Sequence, residues 1–177
     1  GYMPQRDLLF PWRSVRDNLC LPMEICGGIS RAEMVQRADE TLAHVGLSGW
    51  GDKRPDELSG GMRQRAAFAR TLRTGSDLLL LDEPFSALDF LTRINMQEWL
   101  LDQWESDHKT VLFITHDVEE AIFLSSRVLV VEETPIRRLV SFEVPAPYPR
   151  TRACLTEPKM LALREQLIDL LRREVSA

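Results

Sequence analysis

The sequence has no long apolar run, few cysteines and no excess of basic residues. Its longest apolar runs, at residues 78–81 and 111–114, are far shorter than the ~20 residues that a membrane-spanning helix needs. The formal net charge is −5, which argues against a general affinity for nucleic acid or anionic lipid. Any role at a membrane must therefore depend on a partner protein.

The three cysteines predict neither a metal site nor a redox centre. Cys20, Cys26 and Cys154 are odd in number, and their spacings match no zinc or redox pattern, so we expect reduced thiols without a special role. The chain shows no secretory signal. Residues 1–5 do not resemble a natural start, and we expect them to lie within a longer sequence.

Length and composition favour one globular domain of the α/β class. The chain has 177 residues, 44% hydrophobic and 28% charged, which is ordinary for a globular protein with a real core. Short β-rich apolar runs alternate with longer amphipathic stretches. Strands are predicted at residues 78–81, 111–115, 127–131 and, as an edge strand, 138–143. Because the first two are apolar without alternation, we expect them to be buried on both faces.

Capping patterns predict where the helices begin. The pattern is a serine or aspartate with an acidic residue three positions later, and it starts at Ser14, Ser30, Ser86 and Asp117. A further helix is predicted from Ser59 to about residue 74, and another begins near Pro158. We expect Pro22 to end the first helix early and Gly46 to end the second.

Two of these helices have a predicted apolar side. In the helix after Asp89 it consists of Leu91, Trp99, Leu100 and Trp104. In the last helix it consists of Met160, Leu163, Leu167 and Leu170. Before that helix, Pro145, Pro147 and Pro149 predict a stiff linker.

Two adjacent carboxylates follow the first apolar run. Asp82 and Glu83 stand at the carboxyl end of a predicted strand, where α/β sheets bind their ligands. A first carboxylate there can hold Mg²⁺ through water, and a second can orient or deprotonate a water that attacks a phosphate. An acidic turn after an apolar strand is the alternative explanation for so short a pattern.

Residues 58–65 read Leu-Ser-Gly-Gly-Met-Arg-Gln-Arg. Ser59 can cap the following helix, while Gly60 and Gly61 let a ligand approach bare backbone. Exposed N–H groups and the positive end of the helix dipole favour a phosphate at such a position. The alternative is a turn that only starts a helix.

Five elements together resemble the ATP-binding subunits of ABC transporters. Residues 58–64 are similar to the family's signature motif, with Met62 where the commonest form has Gln. Residues 78–83 resemble its Walker B strand followed by the catalytic glutamate. The other three elements are the Q-loop at residues 2–5, the D-loop at residues 86–89 and the switch-histidine loop at residues 114–117. The resemblance extends from Gln5 to about Val131, with order and spacing in agreement.

The resemblance implies a P-loop NTPase-like parallel sheet with an α-helical signature subdomain. Residues 1–76 are then the Q-loop and signature subdomain. Residues 77–144 are the Walker B, D-loop and histidine-loop part of the α/β core, and residues 145–177 are the linker and C-terminal helix.

The resemblance also implies the site residues, with ATP and Mg²⁺ as cofactors. The catalytic residues are Glu83 and His116, and the metal ligands are Gln5 and Asp82. The implied nucleotide-binding set is Gln5, Ser59, Gly60, Gly61, Gln64, Asp82, Asp89 and His116. Without this context, a histidine after an apolar strand is usually structural, and we expect His44 and His108 to be surface or helix-end residues.

The apolar segment after the Q-loop has two interpretations. It contains Leu8, Leu9, Phe10 and Trp12. These residues can form the local core of a small helical subdomain. By resemblance they lie at the contact with a membrane permease, with Arg13 and Arg16 as charges at its rim. Residues 9–18 are especially similar to importers of nitrate, sulfonate or taurine.

The implied partners are those of an importer. They are an integral membrane permease, a second ATP-binding subunit in a head-to-tail homodimer and, indirectly, an extracytoplasmic substrate-binding protein. The implied location is peripheral, at the cytoplasmic face of the bacterial plasma membrane, and no nucleic acid is expected. The alternatives are a soluble ABC ATPase acting on nucleic acid and a regulatory pseudo-enzyme fragment that pairs with full subunits.

The 177 residues contain no Gly-x-x-x-x-Gly-Lys-Ser/Thr loop, which holds the β- and γ-phosphates in this family. The only Lys followed by Ser or Thr is Lys109, and His108 and Gln103 stand where the glycines would be. In the family, the strand before that loop lies between those at 111–115 and 127–131. We therefore expect a sheet that lacks this strand, and an isolated chain of low stability that binds ATP weakly or not at all.

Overall fold

The computed structural model describes residues 1–107, 109–131 and 136–175, with backbone alone at residues 107 and 173–175. The described residues fall into two compact units. The first comprises residues 1–100 and 106–114, and the second comprises residues 101–105 and those from 115 onward. The division at residues 76 and 144 stays a prediction about the organisation of the motifs. No described helix is long and apolar enough to cross a membrane.

The sheet of the first unit is parallel, which confirms the predicted fold class. Its strands, in spatial order, are β1 (Tyr2–Met3), β2 (Leu78–Asp82) and β3 (Thr110–Ile114). Met3 pairs with Leu81, and Asp82 pairs with Ile114. Because the strands are parallel, the segments that follow them start from the same edge of the sheet.

The prediction that both apolar strands are buried on both faces is wrong. Leu79 and Leu81 are 2% and 1% exposed, whereas Leu78, Leu112 and Ile114 are 47%, 51% and 55% exposed. Successive side chains of a strand point to opposite faces, so one face of this sheet packs into a core and the other is open. Burial on both faces requires a layer on each side, and the described residues of this unit supply a layer on one side only.

Helices cover the packed face and extend the first unit. They are α1 (Val15–Cys26), α2 (Arg31–His44), α3 (Gly60–Leu72) and most of α4 (Phe90–Asp107). As predicted, the hydroxyls of Ser14, Ser30 and Ser59 each accept a hydrogen bond from the backbone N–H three residues later. The predicted helix start at Ser86 is wrong: α4 begins at Phe90, and Asp89 is the capping residue, since its Oδ1 accepts from the Thr92 N–H at 3.1 Å.

Helix α1 continues to Cys26, so the prediction that Pro22 ends it early is wrong. Proline lacks an N–H, and the helix therefore loses one hydrogen bond to the Asn18 carbonyl. The flanking turns stay packed, with Leu19 and Met23 at 0% and 7% exposure, and this packing maintains the helix through the defect. By contrast, α2 ends as predicted, with Gly46 at φ 67°.

The apolar side of helix α4 differs from the prediction at one position. Leu91 is 69% exposed, whereas Leu100 is 4% exposed and Trp99 is half-buried. Leu91 lies nine residues before Leu100, which is about two and a half helical turns, so the two side chains point in opposite directions. The core of the first unit includes aromatic rings, with the Phe68 centroid 5.3 Å from Phe85 and 5.7 Å from Trp99.

The described residues of the second unit include two paired strands and two α-helices. Its elements are α5 (Val118–Leu124), β4 (Arg127–Val131), β5 (Leu139–Glu143) and α6 (Pro158–Val175). Strands β4 and β5 pair antiparallel. The predicted apolar side of α6 is confirmed, because Met160, Leu163 and Leu167 are 0%, 6% and 1% exposed. In the proline-rich segment, Ala146 and Arg150 are also buried, so this segment is part of the core of the unit.

The cysteines and two of the histidines belong to no predicted site. Cys20 and Cys154 are buried, and burial raises the pKa of both thiols, whereas Cys26 is exposed. His44 is the last residue of α2, as expected of a helix-end residue, with its Nδ1 2.7 Å from the Glu40 carbonyl. His108 lies outside the described residues.

Candidate nucleotide site

The two carboxylates singled out from the sequence end a strand of the parallel sheet. Asp82 is the last residue of β2 and is half-buried, and Glu83 opens the following turn. Gln5 is exposed and lies two residues after the end of the neighbouring strand β1. The chain leaves both strands at the same edge, so the structure brings the Q-loop and the carboxylates to one side of the sheet.

The backbone of Glu83 is in the left-handed region, with φ 51°. For a residue with a Cβ this conformation costs about 1–2 kcal/mol, so it persists only where neighbouring groups hold it. The Glu83 N–H donates to the Ile114 carbonyl at 2.9 Å, and the Glu83 carbonyl accepts from Ser86 Oγ at 3.0 Å. The sequence carries no signal for this turn, because glutamate is not a residue that favours positive φ.

Helix α3, which begins in the signature motif and is called the signature helix, has an exposed, capped N-terminus. Ser59 and Gly60 are exposed, and Ser59 Oγ accepts from the Met62 N–H at 3.3 Å. A Cβ on Gly61 would stand 3.2 Å from the Ala87 carbonyl oxygen, so a side chain there would crowd the D-loop turn. The glycines therefore serve two purposes: they leave N–H groups accessible and they let α3 approach residues 83–88 closely.

Gln64 joins the signature helix to the turn after β2. Its side chain is 4% exposed, and its Nε2 donates to the Glu83 carbonyl at 2.9 Å. Its Oε1 accepts from the Ala87 N–H at 2.8 Å. The sequence placed Gln64 among the nucleotide-binding residues, and that assignment stays a prediction.

Asp89 ends the D-loop turn and is fully exposed. Its carboxylate caps α4, and the hydrogen bonds from Thr92 lower the pKa of the Asp89 carboxyl group below its ordinary value. A capping carboxylate that remains ionised at neutral pH adds negative charge at the positive end of the α4 dipole. The residue is therefore fixed by its own helix and available to a partner surface.

His116 lies in the second unit, in the bend between β3 and α5, and is exposed. The residues on either side of it are fixed locally. The Asp117 N–H donates to Thr115 Oγ1 at 3.0 Å, and Asp117 Oδ1 accepts from the Glu120 N–H at 3.1 Å. Thr115 Oγ1 also contacts the buried Glu120 carboxylate. His116 therefore lies in a loop that is held by hydrogen bonds of its neighbouring residues, directly before the cap of α5.

Two arginines of α3 hold the segment that follows the Q-loop. Arg63 Nε donates to Asp7 Oδ2 at 3.1 Å. Arg70 donates through Nη1 to the Leu8 carbonyl at 2.8 Å and through Nη2 to the Asp7 carbonyl at 3.1 Å. Leu8 itself has φ 44°, so the backbone here is held in an unusual conformation. Sequence reasoning missed both arginines, because an Arg-rich helix after a signature motif gives no indication of its partners.

The apolar segment divides between core and surface. Leu9 is 7% exposed, whereas Leu8 and Trp12 are 60% and 69% exposed. Asn18, which is 0% exposed, fixes the path of the chain between them by accepting from the Phe10 N–H at 2.7 Å and donating to the Phe10 carbonyl at 3.1 Å. Of the four residues predicted to contact a permease, Leu8 and Trp12 have most of their surface accessible.

The oxygen atoms at this edge suit Mg²⁺ with a nucleotide. That ion keeps several waters and binds through one or two protein oxygens together with phosphate oxygens. Asp82 and Gln5 supply one carboxylate and one amide oxygen at the same edge of the sheet. In the described part of the chain no group of three or more His, Cys, Asp or Glu side chains forms a metal cluster. One carboxylate and one amide oxygen are a donor set of the size that a magnesium ion with a bound nucleotide takes from a protein.

The fold and these motifs define an ATP-binding cassette. The family model described as ABC transporter matches residues 1–86. A dimeric ATP-binding cassette, solved in a post-hydrolysis state with ADP and phosphate, is 33% identical with a TM-score of 0.68, covering 73% of this chain and 56% of that one.

Several of the curated relatives are named as import ATP-binding proteins. The taurine import ATP-binding protein TauB of Rhizobium johnstonii is 44% identical over 97% of this chain and 67% of its own length. The nitrate import ATP-binding protein NrtD of Synechococcus elongatus is 44% identical over 93% of this chain and 61% of its own length. The chain belongs to the ABC transporter family of ATP-binding proteins. It spans about two thirds or less of the length of these curated relatives.

Proposed function

We propose that the chain is part of the ATPase subunit of an ABC importer, in which ATP binding and hydrolysis drive transport through a membrane permease. The observation that supports this most is the contact in the first unit between the signature helix and the turn after Asp82. The exposed cap at Ser59 and the carboxylate of Glu83 belong to segments that are directly hydrogen-bonded to each other through Gln64.

The proposed roles rest on the motifs in which these residues stand. Glu83 accepts the proton of the water that attacks the γ-phosphate, and His116 donates a hydrogen bond to that phosphate. Asp82 and Gln5 bind Mg²⁺. Ser59, Gly60, Gly61 and Asp89 face the nucleotide of a second copy of the subunit in a head-to-tail homodimer. The support for the last role is the exposure of Ser59, Gly60 and Asp89 at two neighbouring helix N-termini.

In an importer, a shift of the signature helix must be transmitted to the surface that contacts the permease. Leu8 and Trp12 are exposed apolar side chains. Arg63 binds the Asp7 carboxylate and Arg70 binds the backbone carbonyls of residues 7 and 8, so two side chains of α3 hold this segment. We propose that Leu8, Phe10 and Trp12 contact a permease, with Leu9 supporting them from the core. The subunit then acts at the cytoplasmic face of the bacterial plasma membrane, and a substrate-binding protein outside supplies cargo of the nitrate, sulfonate or taurine type.

The test is purification of the subunit, as its gene encodes it, from detergent-solubilised membranes. We expect an integral membrane protein to co-purify with it, and Trp12→Ser to reduce that recovery, because an exposed apolar anchor is lost. Glu143→Gln, at an exposed strand end, is the matched surface control. Salt-sensitive binding of nucleic acid without a membrane partner would instead indicate an ABC ATPase that acts on nucleic acid.

The isolated 177-residue chain is expected to bind magnesium ATP with a dissociation constant above the millimolar range, or not at all. The N-terminus of α3 offers backbone N–H groups, but the 177 residues contain no Gly-x-x-x-x-Gly-Lys-Ser/Thr loop to hold the β- and γ-phosphates. Isothermal titration calorimetry measures this directly. A dissociation constant in the millimolar range or below would refute the expectation and show that the chain holds phosphates by other groups.

A further inference from the structure

Gln64 is buried between two segments of the proposed site and makes a bond to each end of one turn. Its Nε2 donates to the Glu83 carbonyl at 2.9 Å and lies 3.3 Å from Ser86 Oγ. Its Oε1 accepts from the Ala87 N–H at 2.8 Å. With the side chain 4% exposed, the amide faces the chain's own turn.

The turn that Gln64 holds is one that the backbone does not favour. Glu83 has φ 51°, and Gln64 binds the backbone carbonyl of this same residue. An amide fixed at both ends of residues 83–87 therefore restricts the direction in which the Glu83 side chain leaves the backbone. Without the two bonds, the turn can relax toward the ordinary right-handed or extended regions.

The position of Gln64 on α3 gives this contact a second consequence. Ser59 and Gly60, at the start of the same helix, form the surface proposed to meet the nucleotide of a second copy. A rigid helix that shifts at its N-terminus also shifts Gln64, five residues after Ser59. The same side chain thus links the surface offered to the partner copy with the chain's own carboxylate.

We propose that Gln64 is a positioning residue that sets the orientation of the Glu83 carboxylate through the residue 83–87 turn. This inference rests on the proposed function, since it assigns a role within the same hydrolytic site. The proposal requires Gln64 to affect the rate of hydrolysis and not the affinity for nucleotide, because its side-chain amide makes its hydrogen bonds to the turn.

The test compares Gln64→Met with Gln97→Met in the subunit as its gene encodes it, assembled with its membrane partner. Methionine keeps the length of the side chain and removes its three hydrogen bonds to the turn. Gln97 is a matched control, since it is 3% exposed on α4 and lies outside the proposed site. We expect Gln64→Met to lower kcat by about 10- to 100-fold, as misplacement of a catalytic group by about 1 Å does, with KM for ATP unchanged.

A second variant separates the hydrogen bonds that Gln64 donates from the one that it accepts. Gln64→Glu keeps an acceptor for the Ala87 N–H but cannot donate to the Glu83 carbonyl when ionised. At a pH where the introduced carboxyl group is ionised, kcat should fall as in Gln64→Met, while amide exchange at Ala87 stays slow. In Gln64→Met, exchange at Ala87 should become at least about 10-fold faster, since its acceptor is lost.

The outcomes distinguish this inference from the proposed function. A wild-type subunit that hydrolyses no ATP refutes the proposed function itself. A wild-type subunit that hydrolyses ATP while Gln64→Met keeps kcat within about twofold overturns only the positioning role. Equal losses in Gln64→Met and Gln97→Met overturn it as well.

Discussion

Replacing Glu83 by glutamine is expected to lower ATP hydrolysis by about 10²- to 10⁴-fold, the range that a positioned general base contributes. Glutamine has the same shape as glutamate but cannot accept the proton of the attacking water. The backbone contacts of this residue, from its N–H to Ile114 and from Ser86 to its carbonyl, do not involve the carboxylate and remain. ATP binding by the assembled subunit should therefore be largely retained, and single-turnover hydrolysis measures the loss.

Two variants serve as controls for that experiment. Glu143→Gln removes an exposed carboxylate at the end of β5 and should leave hydrolysis at the wild-type rate. Glu83→Gly removes the carboxylate and also relieves a conformational cost of about 1 kcal/mol at φ 51°. A Glu83→Gly protein that is as stable as wild type but inactive would show that the loss is chemical. Hydrolysis by Glu83→Gln within about tenfold of wild type would instead exclude Glu83 as the general base.

Much of the candidate site could be predicted from the sequence, because its residues lie directly after apolar strands or at helix caps. Ser59, Asp82 and Asp89 stand where local spacing indicated. The contacts between segments could not be predicted. Gln64 meets Glu83, nineteen residues away, and Arg63 meets Asp7, fifty-six residues away. Such contacts depend on how α3 packs against the sheet, which periodicity does not determine.

The fold shows the same division between local and nonlocal information. Helix starts at Ser14, Ser30 and Asp117 were predictable because each cap is a contact three residues long. Burial was less predictable: Leu112 belongs to an apolar run but is 51% exposed, because exposure depends on which layers cover the sheet. The burial of Arg150 could not be predicted either, because it is a charged residue in a proline-rich segment of the sequence.

Arg150 closes the end of helix α5 within the second unit. Its Nη1 donates to the carbonyls of Ile122, Phe123 and Ser125 at 3.2, 3.2 and 2.7 Å. Its Nε donates to the Ala146 carbonyl at 3.0 Å. The guanidinium also lies 4.0 Å from the centre of the Tyr148 ring. A buried cation here satisfies carbonyls that a helix end leaves without partners, and it interacts favourably with the negative end of the helix dipole.

Arg150→Met is therefore expected to destabilise the second unit by about 3–5 kcal/mol, since it leaves several buried carbonyls without donors. The loss of stability in Arg150→Lys should be smaller than in Arg150→Met, because an ammonium group keeps the charge. It should not be zero, because an ammonium group cannot reach the carbonyls on both sides as the planar guanidinium does. Native-state hydrogen exchange of the α5 amides measures the effect in the unit where it arises. Arg127→Met is the control, and because Arg127 is 62% exposed with its partner Glu143 at 3.9 Å, it should change stability by less than about 0.5 kcal/mol. If Arg150→Met left exchange of the α5 amides unchanged, the helix end would have to be stabilised by the surrounding apolar core and not by the guanidinium.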